Sequence, residues 1–394
     1  MSGGALAIPL IYNVRSALHR PVSTATTALG IGLTVAIFVG ALALAEGFKA
    51  SLVATGSPDN ALVLRKGADS EISSAVSLEA ASIIRSHSEV ATGPDGRPQA
   101  SAEMVVVVNK PRLGITGSSN VTTRGVDPAA IGARAQVKVV EGRMFAPGSD
   151  EIVVGHRIAK RFANCEIGDK LRFEQRDFTV VGHFEANGSA FESEIWGDAA
   201  VLMPAMHREG AFQTLVFRMK DPKQFDRVKK ELESDPRLRV EVKRESAFYA
   251  EQSQMFTAII TVLGSFITAI MAVGAIFGAA NTMFANVSAR TREIATLLVL
   301  GFRPWAVAVS FLFESVFVSL IGGVVGCLIA LPVNGITSST TNFQSFSEQA
   351  FRFRVTPEIM VTALVFSAVL GLVGGLIPAI HAARQPLART LRGG

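Results

Sequence analysis

The sequence predicts a membrane protein: four transmembrane helices plus an α+β extracytoplasmic domain inserted between the first and second helices. Three observations carry this. Hydrophobic residues make up 49% of the chain and charged residues 18%, less charge than a soluble domain of this length usually shows. The apolar residues gather in one block near the N-terminus and three in the last third, around a long charged stretch punctuated by Gly and Pro. Basic residues occupy three short flanks: Arg15, His19 and Arg20; Arg290, Arg292 and Arg303; Arg384, Arg389 and Arg392. With four spans all three flanks fall on one side, which the positive-inside rule makes the cytoplasm. Arg352 and Arg354 lie on the opposite side and run against the pattern.

A bilayer core needs roughly 20 apolar residues in a helix. The first span is expected over residues 23–46, after an amphipathic cytoplasmic segment over 1–22. Its apolar core is too long for a signal peptide, and Glu46-Gly47-Phe48-Lys49 lacks the small residues of a cleavage site. The second span is expected over 254–285. Its charged approach from Glu245 to Glu251 contains no breaker, so it reads as a helix that continues out of the bilayer as a stalk. A cytoplasmic loop (286–304), a third span (305–332), an outer loop (333–357), a fourth span (358–381) and a cytoplasmic tail (382–394) complete the order. Thr356 as N-cap and Pro357 at the first helical position suit the start of the fourth span. Glycines four apart recur in three spans, at Gly274 and Gly278, Gly322 and Gly326, and Gly371 and Gly375. Such spacing lets helix backbones approach closely, within a chain or across a dimer.

The outer domain, residues 47–253, divides by pattern. Thr214–Met219 alternates like a strand, Asp221-Pro222 opens a charged helix to about Leu232, and Leu238–Val242 alternates again, a β-α-β unit. Ala61–Leu64, a helix capped by Ser77, and Glu103–Val108 repeat that rhythm. Two such units would close into one α/β lobe. The middle is strand-rich and turn-rich, with strands expected at Val137–Val140, Glu151–Val154, Lys170–Phe173, Phe178–Val181 and Ala200–Met203.

Catalytic signatures are missing. No Gly-Lys dipeptide occurs, so there is no phosphate-binding P-loop. The six histidines form neither His-Glu-x-x-His nor a zinc-type spacing with cysteine, and no metal site is expected. Cys165 lies in the predicted outer domain and Cys327 inside an apolar segment, so no disulfide between them is expected. The net charge of +5 is explained by the membrane flanks, and nucleic acid is not an expected partner. Glu314 interrupts the third span nine residues beyond Trp305, roughly 14 Å along the helix. An intramembrane carboxylate is a functional candidate by default; the alternative is a hydrogen bond to a neighbouring helix, for instance to Asn281.

The loop after the second span carries its own pattern. Ile294, Leu297 and Leu298 recur at i, i+3 and i+4 and share one helical face. Arg290, Arg292 and Glu293 lie near its start, and Gly301 suits the left-handed position that ends a helix. A short amphipathic helix over about 291–300 is the expectation.

Ser288-Ala289-Arg290-Thr291-Arg292-Glu293-Ile294-Ala295-Thr296-Leu297-Leu298-Val299-Leu300-Gly301, Phe313-Glu314-Ser315 and the tail Gly375-Leu376-Ile377-Pro378-Ala379-Ile380-His381-Ala382-Ala383-Arg384-Gln385-Pro386 together resemble the MacB/FtsX-type ABC transporter permeases. The resemblance covers the last third well and Asn13–Leu18 with the following helix moderately. Ala295 and Val299 depart from the family's usual Gly and Ala. The resemblance implies a dimer with a second permease copy in the bacterial inner membrane. It implies a separate cytoplasmic ABC ATPase that uses ATP and Mg, and a periplasmic adaptor as a further partner. The chain itself would be non-catalytic. The coupling to the ATPase would be made by Arg290, Arg292, Glu293, Ile294, Leu297, Leu298 and Gly301. The outer domain would comprise a porter-like α/β lobe (47–109 and 205–250) and a β-rich sabre-like lobe (110–204). Export or extraction of a hydrophobic, lipid-like or lipoprotein substrate is the implied function. A non-transporting FtsX-like regulator of a periplasmic partner, such as a cell-wall hydrolase, is the alternative, which the size of the outer domain disfavours.

Overall fold

The computed structural model describes residues 21–384 apart from 115 and 343. The predicted basic flanks at Arg15, His19, Arg20, Arg389 and Arg392, with the N-terminal segment, lie outside the described residues. The chain divides into two compact units: the four long apolar helices, and residues 47–258 with 337–352.

In chain order, helix α1 (Pro21–Val53) leads into strand β1 (Asn60–Arg65), helix α2 (Leu78–Arg85) and the long strand β2 (Ala100–Pro111). Then come β3 (Ser118–Val126), β4 (Lys138–Gly142), β5 (Glu151–Gly155), β6 (Lys170–Phe173), β7 (Arg176–Glu185), β8 (Glu194–Asp198) and helix α3 (Ala199–Ala205). Strand β9 (Thr214–Arg218), helix α4 (Phe225–Ser234) and strand β10 (Val240–Arg244) close the domain. The rest is helical: α5 (Glu245–Ala289), α6 (Thr291–Val299), α7 (Pro304–Ala330) and α8 (Pro357–Ala383). A hairpin of β11 (Thr337–Thr341) and β12 (Glu348–Arg352) lies between α7 and α8.

Strands β10, β1, β9 and β2 lie side by side, all antiparallel. Strands β9 and β10 are therefore parallel but separated by β1, and β1 and β2 are separated by β9. The β-α-β units expected from the sequence are present in split form, interleaved as in ferredoxin-like folds. Helices α2 and α4 bury Ile84, Phe225, Val228 and Leu232 on this sheet against Val63 and Phe217. The β-rich region is inserted in the connection from β2 to β9. Strand β2 joins the two parts: Ala100–Glu103 pair with β9, and Met104–Pro111 pair with β3. Beyond β3 the same sheet continues through β8, β5, β7 and β4. Its own core contains Met104, Ile152, Val154, Phe178, Val180 and Ile195.

The strand expected at Ala200–Met203 is instead helix α3. Asp198 caps it by accepting the Ala200 N–H at 2.8 Å, and Ala-Ala-Val-Leu-Met is a good helix-forming run. An apolar run this short carries no period by which to tell strand from buried helix.

In the other unit, four helices are long and apolar enough to cross a membrane. Helix α5 has 45 residues, about 68 Å of rise, more than twice the hydrocarbon thickness. Thr356 accepts the Ile359 N–H at 3.3 Å, with Pro357 in the first turn of α8. Both cysteines are free and buried.

Candidate functional site

Helix α6 connects two membrane helices and is fixed by local chemistry at both ends. At its C-terminus Gly301 has φ +93°. The Gly301 N–H reaches the Leu298 carbonyl at 3.2 Å and the Phe302 N–H reaches the Leu297 carbonyl at 3.1 Å. This double bond pattern around a left-handed residue is the Schellman closure, for which glycine carries no Cβ penalty. At its N-terminus Arg290 is buried, 8% exposed. Its Nε donates to Glu293 Oε2 at 2.9 Å and its Nη1 to Glu314 Oε2 at 3.1 Å. Its guanidinium also lies 5.2 Å from the Phe311 ring centroid, within cation–π range.

Glu314 is thus paired with a cation. Asn281, the partner suggested from the sequence, lies on an exposed part of α5. A carboxylate and a guanidinium that neutralise each other escape most of the cost of a lone charge away from water. The pair also fastens the start of α6 to the middle of α7.

The apolar face of α6 turns inward. Ile294 is buried with Met283, Val287, Val307, Phe311 and Ala382, and Leu298 packs against this cluster. Leu297 is half-buried, and Arg292 and Glu293 are exposed. Among the described residues Val299, Leu300 and Trp305 are exposed apolar side chains at this end, which periodicity did not single out.

The glycine pairs behave differently from one another. A Cβ at Gly326 would lie 2.5 Å from the Gly32 carbonyl oxygen, and one at Gly322 2.7 Å from the Ala28 carbonyl oxygen. Gly371 and Gly375 press on Ser319 and Ser315 of α7, and Ser315 Oγ donates to the Gly371 carbonyl at 2.7 Å. At Gly274 and Gly278 a Cβ would meet nothing within 4 Å among the described residues.

A second charged centre lies within the outer domain, around the first turns of α5. Arg124 on β3 reaches Glu71, Glu103 on β2 and Glu194 on β8, at 2.7–3.0 Å. Arg134 joins Glu103 to Glu245 at 2.8 Å. Glu245 also accepts from the Ser57 N–H and Asn60 Nδ2, both at 2.9 Å. Tyr249, one turn further along α5, packs edge-on to Phe191 at 6.0 Å. Burial would raise the Glu103 carboxyl, but the flanking Arg134 and Arg124 hold it below the usual range. Burial raises Glu194 against the pull of Arg124, and raises Glu245 against the pull of Arg134. No local pattern announces this network, because its members are single charged residues spread over 175 positions, on three strands, in two loops and at a helix start.

The hairpin between α7 and α8 is bound to the same domain. Arg112 and Arg161 both grip Glu348, at 2.9 and 2.8 Å. The Ala350 N–H donates to Ser193 Oγ at 2.9 Å, and Arg157 donates to the Ala350 carbonyl at 2.7 Å.

Comparison with known proteins adds the following. Residues 24–235 match the MacB-like periplasmic core domain and residues 265–387 the FtsX-like permease C-terminal domain. A macrolide export ATP-binding/permease protein MacB from Bdellovibrio bacteriovorus is 25% identical over 400 residues, covering 92% of this chain and 58% of that protein. The MacB protein of Bordetella avium is 38% identical over 128 residues, 32% of this chain and 19% of that one. An uncharacterized ABC transporter permease of Methanocaldococcus jannaschii is 24% identical over 248 residues, 61% of this chain and 62% of that one. The chain spans less than two thirds of the length of each of these relatives. The crystal structure of the periplasmic region of MacB from Actinobacillus actinomycetemcomitans aligns with 51% of this chain and 95% of that one, at 11% identity and TM-score 0.38.

Proposed function

The chain belongs to the MacB/FtsX-type ABC transporter permeases, and from that premise we propose that it couples ATP hydrolysis in a partner ATPase to motion of its periplasmic domain. The work done is export or extraction of a hydrophobic, lipid-like or lipoprotein substrate. ATP and Mg act through the partner. The complex sits in the bacterial inner membrane, contains a second permease copy and takes a periplasmic adaptor.

The observation that carries this reading is the construction of α6. It is a short helix between two membrane helices, closed by Gly301 and tied to α7 by Arg290 and Glu314. Ile294 and Leu298 hold it to the chain's own bundle. Arg292 and Glu293, with the neighbouring Val299 and Leu300, remain exposed for the ATPase. An amphipathic helix that offers a few anchors and a charged rim is a recurrent docking element. Leu297, half-buried, completes the contact at its edge.

The test is a pull-down of the partner ATPase by the full chain carrying Arg292→Glu and Leu300→Asp. Both side chains are exposed, so insertion and folding should persist while ATPase capture drops at least tenfold. Capture at the level of the unaltered chain would show that α6 is not the coupling element.

A further inference from the structure

Strand β2 has two edges, and one of them is open in its middle. From Met104 onward one edge pairs with β3. On the other edge, Ala100–Glu103 pair with β9, and the Val105 N–H is taken at 3.0 Å by the side-chain oxygen of Gln213. The edge closes again at Pro111, whose carbonyl accepts the Ala163 N–H at 3.1 Å, and at Leu113, whose N–H reaches the Arg161 carbonyl at 2.8 Å. Backbone groups alternate sides along a strand, so odd-numbered residues address this edge. Between the two closures it presents the Val105 carbonyl and both the N–H and the carbonyl of Val107 and Asn109. None of these five groups has a protein partner among the described residues.

The gap runs six residue steps, about 20 Å, the length of a short strand. It opens on a groove of about 320 Å³ lined by Val106–Lys110 with Arg172, Phe173, Glu174, Met206 and Arg208. Folded proteins usually blunt or cover an open edge. Here both ends are sealed by the chain itself and the middle is left as a slot. The rim is basic: Arg172 and Arg208 are exposed and form no ion pair among the described residues, and Lys110 lies 4.3 Å from the Phe173 ring centroid. Glu174 is the one carboxylate in the lining.

We propose that this slot binds an extended acidic segment of a partner protein, which adds to the sheet as an extra strand beside β2. Main-chain hydrogen bonds to Val107 and Asn109 supply affinity, as in other strand-addition complexes. Arg172 and Arg208 supply the charge preference. The site is independent of the ATPase contact at α6.

The test uses the full chain in phosphatidylcholine nanodiscs and fluorescein-labelled, N-acetylated hexapeptides. One alternates Asp and Val, one alternates Lys and Val, and a third is the acidic peptide N-methylated at every second backbone nitrogen. The acidic peptide should bind at least tenfold more tightly than the basic one. The N-methylated peptide with its donor edge facing β2 should lose at least tenfold. Asn109→Pro removes one slot donor while sparing the backbone bonds to β3, because the Asn109 N–H points into the slot; it also removes the side-chain bond from Asn109 Nδ2 to Asn120 Oδ1, and it should lose at least tenfold. Arg208→Glu, an exposed change that leaves the backbone untouched, should weaken acidic peptide binding and spare basic peptide binding. Absence of acidic-peptide binding, equal binding of all three peptides, or undiminished binding to both variants would overturn the proposal. Self-association of the chain that is lost in Asn109→Pro, without acidic-peptide binding, would place a second copy in the slot and would also overturn it.

Discussion

Two of the buried charge centres among the described residues, one in the outer domain and one at α6, are built differently. In the outer domain Arg124 and Arg134 are enclosed by four carboxylates, Glu71, Glu103, Glu194 and Glu245, all under a tenth exposed. Strands β2, β3 and β8 each contribute a group, and so does the first residue of α5. At α6 a single arginine, Arg290, is shared by Glu314, which is buried, and Glu293, whose side chain is 56% exposed. The first centre is closed on all sides and resists displacement. The second ties the start of α6 to α7 through Glu314 and places Glu293 on its exposed side. A closed network suits an anchor. A half-open pair suits a joint that must follow a partner and still pull on a membrane helix.

The sharpest way to break this contrast is to remove Arg134. Glu103 and Glu245 then lose the cation between them while remaining buried. Breaking a buried pair from one side costs about 3–5 kcal/mol, so Arg134→Ala should lower the thermal midpoint of the outer domain's unfolding in the detergent-solubilised chain by many degrees. An unchanged midpoint would show that the network is decorative. Glu293→Ala, at the open side of the α6 joint, should leave the midpoint within experimental error.

The same contrast between closed and open packing recurs in the membrane helices and predicts a middle-sized effect. Gly326→Ala must displace the Gly32 carbonyl or Val35, and overpacking of this kind costs about 1–3 kcal/mol. Gly278→Ala meets nothing within 4 Å among the described residues and should be neutral in the isolated protomer. Equal losses from both, measured by denaturation in mixed micelles, would remove the distinction between the two glycine pairs.

How much of this was legible in the sequence differs by range of interaction. The four long helices were legible because hydropathy and length are local. The Schellman end at Gly301 is equally local, set by one residue and two backbone bonds. The strands at Lys170–Phe173 and Thr214–Arg218 showed themselves by alternation. Pairing did not. That β1 lies between β9 and β10 joins segments over 150 residues apart, and no short pattern records it. The partner of Glu314 was missed for the same reason. Arg290 read as a topology signal among other arginines, and nothing local says that it folds back 24 residues along the chain toward α7. Arg124 was hidden because a charged residue in a strand ordinarily marks the solvent face, and Arg134 because a charged residue in a loop ordinarily does the same.

The smallest expected effect is at the surface, and it sets the scale for the buried centres. Arg237 holds the Asp235 carboxyl down to about 2, and Arg143, with the Ala146 N–H, holds Glu151 down to about 2. A carboxyl whose folded pKa is depressed adds stability above its unfolded value and loses it as pH falls toward the folded value. The stability of the chain should therefore decline from about pH 4.5 toward pH 2. Asp235→Asn with Glu151→Gln should flatten that limb slightly and leave pH 7 nearly unchanged. A steep unaltered acid limb in the double variant would assign it to other groups.

If the Arg290–Glu314 pair ties α6 to α7, the two helices move as one body. With Cys165 and Cys327 replaced by Ser, spin labels at Thr296 on α6 and Leu328 on α7, both exposed, report the distance between the two helices. The full chain with its ATPase in nanodiscs should keep one narrow distance distribution, the same with and without ATP. In the Glu314→Ala chain the distribution should broaden and become ATP-dependent while ATPase association persists. A Glu314→Ala chain whose distribution stays as narrow and as indifferent to ATP as the parent's would contradict the claim.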